Sequence, residues 1–196
     1  MRKLYLLLLL LLPVLSLRGF DLYKGYIITL NGYHLTGQIG EIYLAEDQRQ
    51  VVFVNDFSTP YMISPQLIAG FAYADGEELV TYQSMFLNKN WAFLEVVKQG
   101  EGLKLLRAPE ESIEVFIDQF GLNSQKVKSN DVYIQLRKRK PERIKRIGFR
   151  KQVTQLLGRR APNLAKKIGS KGYRYNDLDK ICEEYLEEYK TTRYIL

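Results

Sequence analysis

Short runs rich in β-branched and aromatic residues recur through residues 20–107, each separated from the next by a few turn-forming residues. There are about seven such runs, and their length and alternation are typical of β-strands. No helical pattern alternates with them, which argues against a parallel βαβ arrangement. The sequence therefore predicts an antiparallel sheet that folds on itself as a barrel or a sandwich.

The strongest single prediction is a hairpin at residues 24–39, KGYIITLNGYHLTGQI. The Asn-Gly pair at 31–32 tolerates the positive φ that a two-residue type I′ turn requires. Such a turn places Ile28 opposite Leu35 and leaves His34 on the polar face. The apolar face of the predicted hairpin consists of Tyr26, Ile28, Leu30, Tyr33 and Leu35.

Further hairpins are predicted around the turn residues 74–77 and 100–102. The two prolines in residues 56–65 predict a loop or an edge strand, because proline cannot donate to a strand ladder. Residues 110–120 fit a helix and a strand equally well, and residues 132–136 predict a strand.

The last fifty residues change to a helical period. A first helix is expected to end at Gly158, a second to begin near Pro162, and a third to follow a cap at Asn176. The apolar stripe of the third helix comprises Leu178, Ile181, Cys182, Tyr185, Leu186 and Tyr189, and its outward face Glu183, Glu184, Glu187 and Glu188. The predicted fold class is α+β, with an antiparallel β domain at 20–146 and a small C-terminal helical bundle at 147–196.

Residues 1–19 have the features of a secretory signal peptide: two basic residues, a leucine run at 4–12, and small residues that offer cleavage sites. The apolar stretch is shorter than the roughly 20 residues of a spanning helix, which favours a cleaved signal over a membrane anchor. We therefore expect an exported protein, whether periplasmic, outer-membrane-associated or secreted, with no transmembrane span after cleavage. Because Cys182 is the single cysteine, it forms no intramolecular disulfide.

Charge is divided unevenly along the chain. Residues 20–120 contain 6 basic and 14 acidic residues, whereas residues 121–196 contain 20 basic and 8 acidic residues. Either the two halves attract each other, or the basic half serves an acidic partner. Attraction within the molecule is the simpler interpretation.

Catalytic chemistry finds little support in the sequence. His34, the single histidine, lies on the polar face of a hairpin, and Cys182 lies in an apolar helical stripe where packing is expected. One histidine with one cysteine does not make a zinc site. We therefore predict no catalytic residue, no cofactor and no metal. A glycosidase needs only two carboxylates, for which Glu77 with Glu78, or Glu110 with Glu111 and Glu114, are the candidates.

The basic stretch is the sharpest remaining feature. From Lys126 to Arg174 there are 17 lysines and arginines but only two acidic residues. Export would put genomic nucleic acid out of reach, so an envelope protein, an anionic lipid, lipopolysaccharide or an acidic polysaccharide is the expected partner. The candidate anion-binding residues are Lys138, Arg139, Lys140, Arg143, Lys145 and Arg146.

The segments GYIITLNG, LTGQI, FLEVVKQGEGLKLL and YNDLDKICEEY, in this order, resemble those of exported β-rich proteins of the Bacteroidetes type, a domain of unknown function. The resemblance spans most of the mature chain, and its motifs are structural. It implies an exported β-rich domain with a C-terminal helical cap and carries no catalytic residue across.

These observations predict an exported, non-enzymatic binding or envelope-associated module of unknown ligand. One alternative is a carbohydrate-active or other hydrolytic enzyme that uses paired carboxylates. The other is a surface protein that binds an anionic lipid head group, lipopolysaccharide or acidic polysaccharide through the basic residues named above.

Overall fold

The computed structural model describes residues 21–45, 48–118, 121–137 and 139–193. The predicted signal peptide at 1–19 and Lys138 of the candidate anion-binding set therefore lie outside the described residues. Within these ranges the chain forms a mainly antiparallel sheet followed by short α-helices, which confirms the predicted α+β class.

The described strands all belong to one sheet. They are β1 (Tyr23–Thr29), β2 (His34–Ala45), β3 (Gln48–Val54), β4 (Pro60–Ile63), β5 (Ile68–Asp75), β6 (Glu78–Leu87), β7 (Asn90–Gly100), β8 (Leu103–Arg107), β9 (Glu111–Asp118), β10 (Gly121–Lys128), β11 (Val132–Leu136) and β12 (Glu142–Ile144). The helices are α1 (Phe149–Leu157), α2 (Pro162–Lys167) and α3 (Leu178–Arg193), with a 3-10 turn at Tyr175–Asp177 before α3.

Strand β2 is the branch point of the sheet. The strand order is β10-β9-β2-β1-β5-β6-β7-β8-β11-β12, and β2 also pairs with β3, which in turn pairs with β4. The pairing of β2 with β9 is parallel, whereas the other pairings are antiparallel. Strand β4 forms an edge, as the prolines of residues 56–65 predicted.

The first hairpin forms, but the predicted register is wrong. Ile27 lies opposite Leu35, and Ile28 lies opposite His34, one residue away from the pairing that a two-residue turn requires. This register places Ile27 and Ile39 on the same face, whereas the predicted one would have pointed them to opposite faces. The predicted apolar face of Tyr26, Ile28, Leu30, Tyr33 and Leu35 is therefore wrong as well.

The turn of this hairpin is a three-residue loop at residues 30–32. The Thr29 amide donates to the Tyr33 carbonyl at 2.8 Å, and the Gly32 amide donates to the Thr29 carbonyl at 2.9 Å. The Tyr33 amide also donates to the Thr29 hydroxyl at 3.0 Å. Gly32 has a φ of 84°, so a left-handed residue closes the loop, as is usual for three-residue hairpin loops.

Packing explains why this register is preferred. Six strands contribute to one cluster of buried side chains, which we call the hairpin core, and the sheet curls around it. Its members are Ile27, Ile39, Val51, Phe53, Ile68, Phe71, Tyr82 and Phe93. Because both Ile27 and Ile39 belong to this cluster, the buried face of the sheet fixes the pairing of β1 with β2.

The helices pack against the other end of the sheet. Strands β8 and β11 contribute Leu103, Leu105 and Ile134, and the helices contribute most of the remaining side chains of what we call the helical core. These include Phe149, Val153, Leu157, Leu164, Ile168, Leu178, Ile181, Cys182 and Tyr185. The helices thus share one core with the sheet.

The predicted helices occur close to where the sequence placed them. Helix α1 ends at Leu157 with Gly158 as its C-cap, and Pro162 occupies the first turn of α2. Asn176 lies within the 3-10 turn and accepts a hydrogen bond from Arg146, so it does not cap α3. Residues 111–118, whose pattern was ambiguous, form a strand. None of the described helices has the length and apolarity needed to span a bilayer.

Candidate anion-binding site

The structure separates the six basic residues that the sequence grouped together. Arg143 pairs with Asp131, and Lys140 and Lys145 are exposed. Arg146 lines a large cleft beside α1, whereas Arg139 lines a smaller pocket elsewhere. The remaining member, Lys138, is outside the described residues. A contiguous basic stretch in sequence therefore becomes two separate basic sites.

The basic cleft, as we call the larger site, has a volume of about 890 Å³ and opens beside the N-terminus of α1. Its cationic side chains are Arg146, Arg150, Lys151 and Arg174, and Phe149 and Tyr175 contribute aromatic surface. No acidic side chain of the described residues lines it. An open cavity with several cations and an aromatic surface suits an anionic ligand that also carries apolar or ring groups.

The turn from β12 into α1 positions Arg146. The side-chain amide of Gln152 donates to the Arg143 carbonyl at 2.8 Å, and its oxygen accepts from the Lys145 amide at 3.1 Å. This pair of bonds ties the end of β12 to α1. Gly148 then reverses the chain with a φ of 79° and begins the helix.

Aromatic contacts hold the other side of the cleft. The guanidinium of Arg146 lies 5.0 Å from the centroid of the Tyr175 ring, within cation–π range. Tyr175 packs edge-on against Phe149, with 5.9 Å between ring centroids. Arg146 also donates to the Asn176 side chain at 3.3 Å. These contacts hold the Arg146 guanidinium at the cleft wall.

Gly169 allows Arg150 to lie across the loop after α2. A Cβ atom at Gly169 would come within 2.8 Å of Cδ of Arg150, and the φ of Gly169 is 94°. The loop is closed by the Gly169 amide, which donates to the Tyr173 carbonyl at 2.8 Å. A glycine at this position therefore brings the Arg150 side chain into the cleft.

The first turn of α1 carries charges of the sign that helix N-termini usually avoid. Acidic side chains favour the first turn of a helix, because its free amide groups carry partial positive charge. The first turn of α1 contains no acidic residue but has Arg150 and Lys151, and Gly148 provides no side-chain cap. A site with this much uncompensated positive potential attracts anions.

An exposed isoleucine lies next to two cleft residues in the chain. Ile147 is 92% exposed and stands between Arg146 and Gly148, two residues that line the cavity. An apolar side chain in water beside several cations is the pattern of a surface that inserts into a membrane interface.

The other candidates from the sequence lie away from this cleft. His34 is exposed and stacks on Tyr26 with 4.5 Å between ring centroids. Cys182 is fully buried in the helical core, and burial raises the pKa of its thiol to about 12. Cys182 packs among the side chains of the helical core, where the sequence predicted a packing role for it.

The candidate carboxylate pairs lie in turns and on strand surfaces. Glu77 and Glu78 are exposed at the β5–β6 turn, Glu110 pairs with Arg107 at 3.4 Å, and Glu114 accepts a hydrogen bond from Gln125. The structure adds Glu95, which the sequence analysis missed. Burial raises the pKa of Glu95, and Arg107 on the neighbouring strand opposes that shift.

Sequence reasoning also missed Arg150, Lys151 and Arg174. The available signal was the pair of cations in the first turn of a predicted helix, where acidic residues are preferred. Arg174 gave no such signal, because the loop after α2 brings it to the cleft. No family model, no curated protein and no solved structure matches this chain.

Proposed function

We propose that this protein is an exported, non-enzymatic module that binds anionic lipid head groups at the cell envelope through the basic cleft. The observation that carries the proposal is the convergence of Arg146, Arg150, Lys151 and Arg174 on one cavity that no described acidic side chain lines. The leucine-rich signal at residues 1–19 and the resemblance to exported proteins support the envelope location.

Ile147 favours a lipid surface over a soluble polysaccharide. A polysaccharide offers hydroxyl and acidic groups, which give a fully exposed isoleucine no favourable contact. A bilayer offers both phosphate groups for the cations and acyl chains for the isoleucine. Each lysine or arginine near an anionic surface contributes about 1 kcal/mol, so the four cations of the cleft provide meaningful affinity.

The charge test uses sedimentation with phosphatidylcholine vesicles, prepared with and without phosphatidylglycerol. The double variant Arg150→Glu, Lys151→Glu should lose binding to the anionic vesicles by a factor of ten or more, at about 1 kcal/mol per cation. The matched control is Lys24→Glu, Lys89→Glu, which changes the net charge equally at exposed residues of β1 and of the β6–β7 turn. Salt should weaken the binding of the parent protein.

A second pair of variants tests the apolar contact. Ile147→Ser should weaken vesicle binding, whereas Leu122→Ser, at a leucine of β10 that is 74% exposed, should leave it unchanged. Equal loss in both variants, or vesicle binding that survives charge reversal in the cleft, contradicts the proposal. Binding to polygalacturonate but not to the vesicles would reassign the ligand to an acidic polysaccharide. Recovery of the protein from the cytoplasmic fraction of its host would overturn the export.

A further inference from the structure

A second basic site lies at the opposite end of α1 from the cleft. It is a pocket of about 120 Å³ whose wall includes four arginine side chains, and we call it the four-arginine pocket. Arg137 and Arg139 follow β11, and Arg159 and Arg160 follow α1. The buried Tyr185 of α3 contributes a further side chain to the wall.

The backbone around the pocket is held in place. The Arg137 amide donates to the Gly102 carbonyl at 2.9 Å, and Arg137 has a φ of 51°, a left-handed conformation that is uncommon for a residue with a side chain. The side chain of Gln135 donates to the Arg139 carbonyl at 2.8 Å. Two of the four arginines are therefore fixed at the backbone before any ligand binds.

Tyr189 of α3 lies beside two of the guanidinium groups. Arg137 donates to the Tyr189 hydroxyl at 2.9 Å, and the guanidiniums of Arg137 and Arg160 lie 6.0 Å and 5.7 Å from the centroid of its ring. Neither contact neutralises a charge. Among the described residues, neither Arg139 nor Arg159 forms a salt bridge with an acidic side chain.

The contrast with other cations of the protein is informative. Arg143 pairs with Asp131, Arg107 with Glu110 and Asp179, and Lys167 with Glu184. In the described part of the chain, none of the four arginines of the pocket forms a salt bridge, and no acidic side chain lines the pocket. Four like charges around one small cavity repel each other unless an anion lies between them.

We propose that the four-arginine pocket binds a single tetrahedral oxyanion, a phosphate group or a sulfate group. Guanidinium groups match such oxygens because each presents several donors in a planar fork and forms short, charge-assisted bonds. The volume of the pocket fits one compact group and is far smaller than that of the basic cleft. The site is separate from the cleft, so this inference stands or fails independently of the proposed function.

The test is calorimetric titration of the protein with inorganic phosphate and with sulfate, in a chloride buffer. Arg139→Gln and Arg159→Gln should each weaken the binding of phosphate about tenfold, because each removes a charge-assisted hydrogen bond. Lys166→Gln is the matched control: it removes one positive charge at an exposed residue of α2 and should leave the affinity unchanged. Phosphate should also raise the melting temperature of the parent protein.

A purely structural role for the arginines predicts a different result. Without phosphate, Arg139→Gln and Arg159→Gln should melt at the same temperature as the parent or higher, because each relieves repulsion among like charges. A lower melting temperature in both variants, with phosphate affinity unchanged, overturns the proposal.

Two further arms identify the source of the oxyanion and separate this site from the cleft. Vesicles of phosphatidylcholine with phosphatidic acid present the same group on a lipid. They are tested with the cleft variant Arg150→Glu, Lys151→Glu, and binding that is lost when Arg139→Gln is added supports the pocket with a lipid as the source. The cleft variant Arg150→Glu, Lys151→Glu should keep its response to inorganic phosphate. Absence of any response to inorganic phosphate and sulfate contradicts the pocket as an oxyanion site, whereas the proposal for the cleft is tested separately by the phosphatidylglycerol vesicles.

Discussion

The helical end and the hairpin end of the molecule each bury one face of the sheet, but they present different side chains to solvent. At the helical end, three short helices cover one part of the sheet and present cations around two cavities. At the hairpin end, the sheet curls over its own face and exposes apolar side chains at its loops, including Leu30, Tyr33 and Phe57. Charge is therefore segregated by architecture as well as by sequence.

Two ion pairs join α3 to the sheet. Lys98 of β7 pairs with Glu183 at 3.4 Å, and Arg107 of β8 pairs with Asp179 at 3.9 Å. Both pairs use a cation from the acidic half and a carboxylate from the basic half. These two contacts therefore join the halves through the minority charge of each half.

The hairpin end contains two loops of the same design. In the β3–β4 loop the Asn55 amide donates to the Thr59 carbonyl at 3.1 Å, and the Ser58 amide donates to the Asn55 carbonyl at 2.9 Å. This repeats the bonding of the loop at residues 30–32. The left-handed position is filled by Gly32 in one loop and by Ser58, with a φ of 60°, in the other.

The largest expected effect comes from truncating the two cores in parallel. Ile181→Ala in the helical core and Ile39→Ala in the hairpin core should each lower the free energy of unfolding by about 2–5 kcal/mol, since both side chains are fully buried. Urea unfolding followed by Trp91 fluorescence and by circular dichroism at the helical band measures both variants.

The same experiment shows whether the two ends unfold together. Because helices and sheet share the helical core, we expect the two signals to change in one transition for the parent and for both variants. Separate transitions in Ile181→Ala, with the helical signal lost first, would show that the helical end unfolds on its own.

Substitutions at the left-handed positions of the two hairpin loops should have smaller effects on stability, and the two effects should be opposite in sign. Gly32→Ala should destabilise the protein by about 1–2 kcal/mol, because a side chain disfavours the left-handed conformation. Ser58→Gly should stabilise it by a fraction of that amount, since part of the gain is offset by the greater freedom of glycine in the unfolded chain. Thermal unfolding of both variants compares them directly, and a change of the same sign in both would contradict the shared design.

The smallest effect concerns a carboxylate of the helical end. Glu184 accepts a hydrogen bond from the Tyr173 hydroxyl at 2.7 Å and lies 3.2 Å from the Lys167 ammonium, and these contacts hold the pKa of Glu184 below its ordinary value. Stability from a lowered carboxyl pKa is present above the ordinary pKa and is lost as the pH falls through the lowered one. Glu184→Gln should therefore cost less than about 1 kcal/mol near neutrality and nothing in strong acid.

Urea midpoints measured from neutral to acid pH check this prediction. Glu142→Gln, at an exposed residue of β12, is the control, and its urea midpoint should change with pH as that of the parent does. A difference between Glu184→Gln and the parent that persists unchanged into strong acid would assign the effect to packing.

Much of the fold follows from local sequence signals. Helix α1 is marked by its apolar spacing and Gly158, and α2 by Pro162, because these signals act within a few residues. The β7–β8 hairpin is marked by Gly102, which has a φ of 93°. Such signals act through neighbouring residues and do not depend on tertiary contacts.

The register of the first hairpin could not be predicted in this way. A two-residue turn with positive φ at both positions does occur among the described residues, but at Asn88–Lys89, where neither residue is glycine. At residues 30–32, the requirement to bury Ile27 together with Ile39 outweighs the local preference of Asn-Gly. Register is a tertiary property when one face of a hairpin lies in a core.

The sequence predicted that basic residues form the candidate sites, but it did not predict which of them share a cavity. The sequence identified six candidate basic residues, and two of them, Arg139 and Arg146, line cavities. Their partners in those cavities come from α1, from the turn after it, and from the loop that precedes α3. These are brought together by the packing of the helices on β8 and β11, which no linear pattern encodes.

The parallel pairing of β2 with β9 has a consequence for the order of folding. It joins Tyr43 to Ile113, so the end of β2 beyond its pairing with β1 has no partner on that edge until β9 has been synthesised. Contacts between residues so distant in sequence form late, because the loop between them must close first. During synthesis, the β1–β2 and β5–β6 hairpins can therefore form early. The far end of β2 pairs on that edge only after β9 has been synthesised.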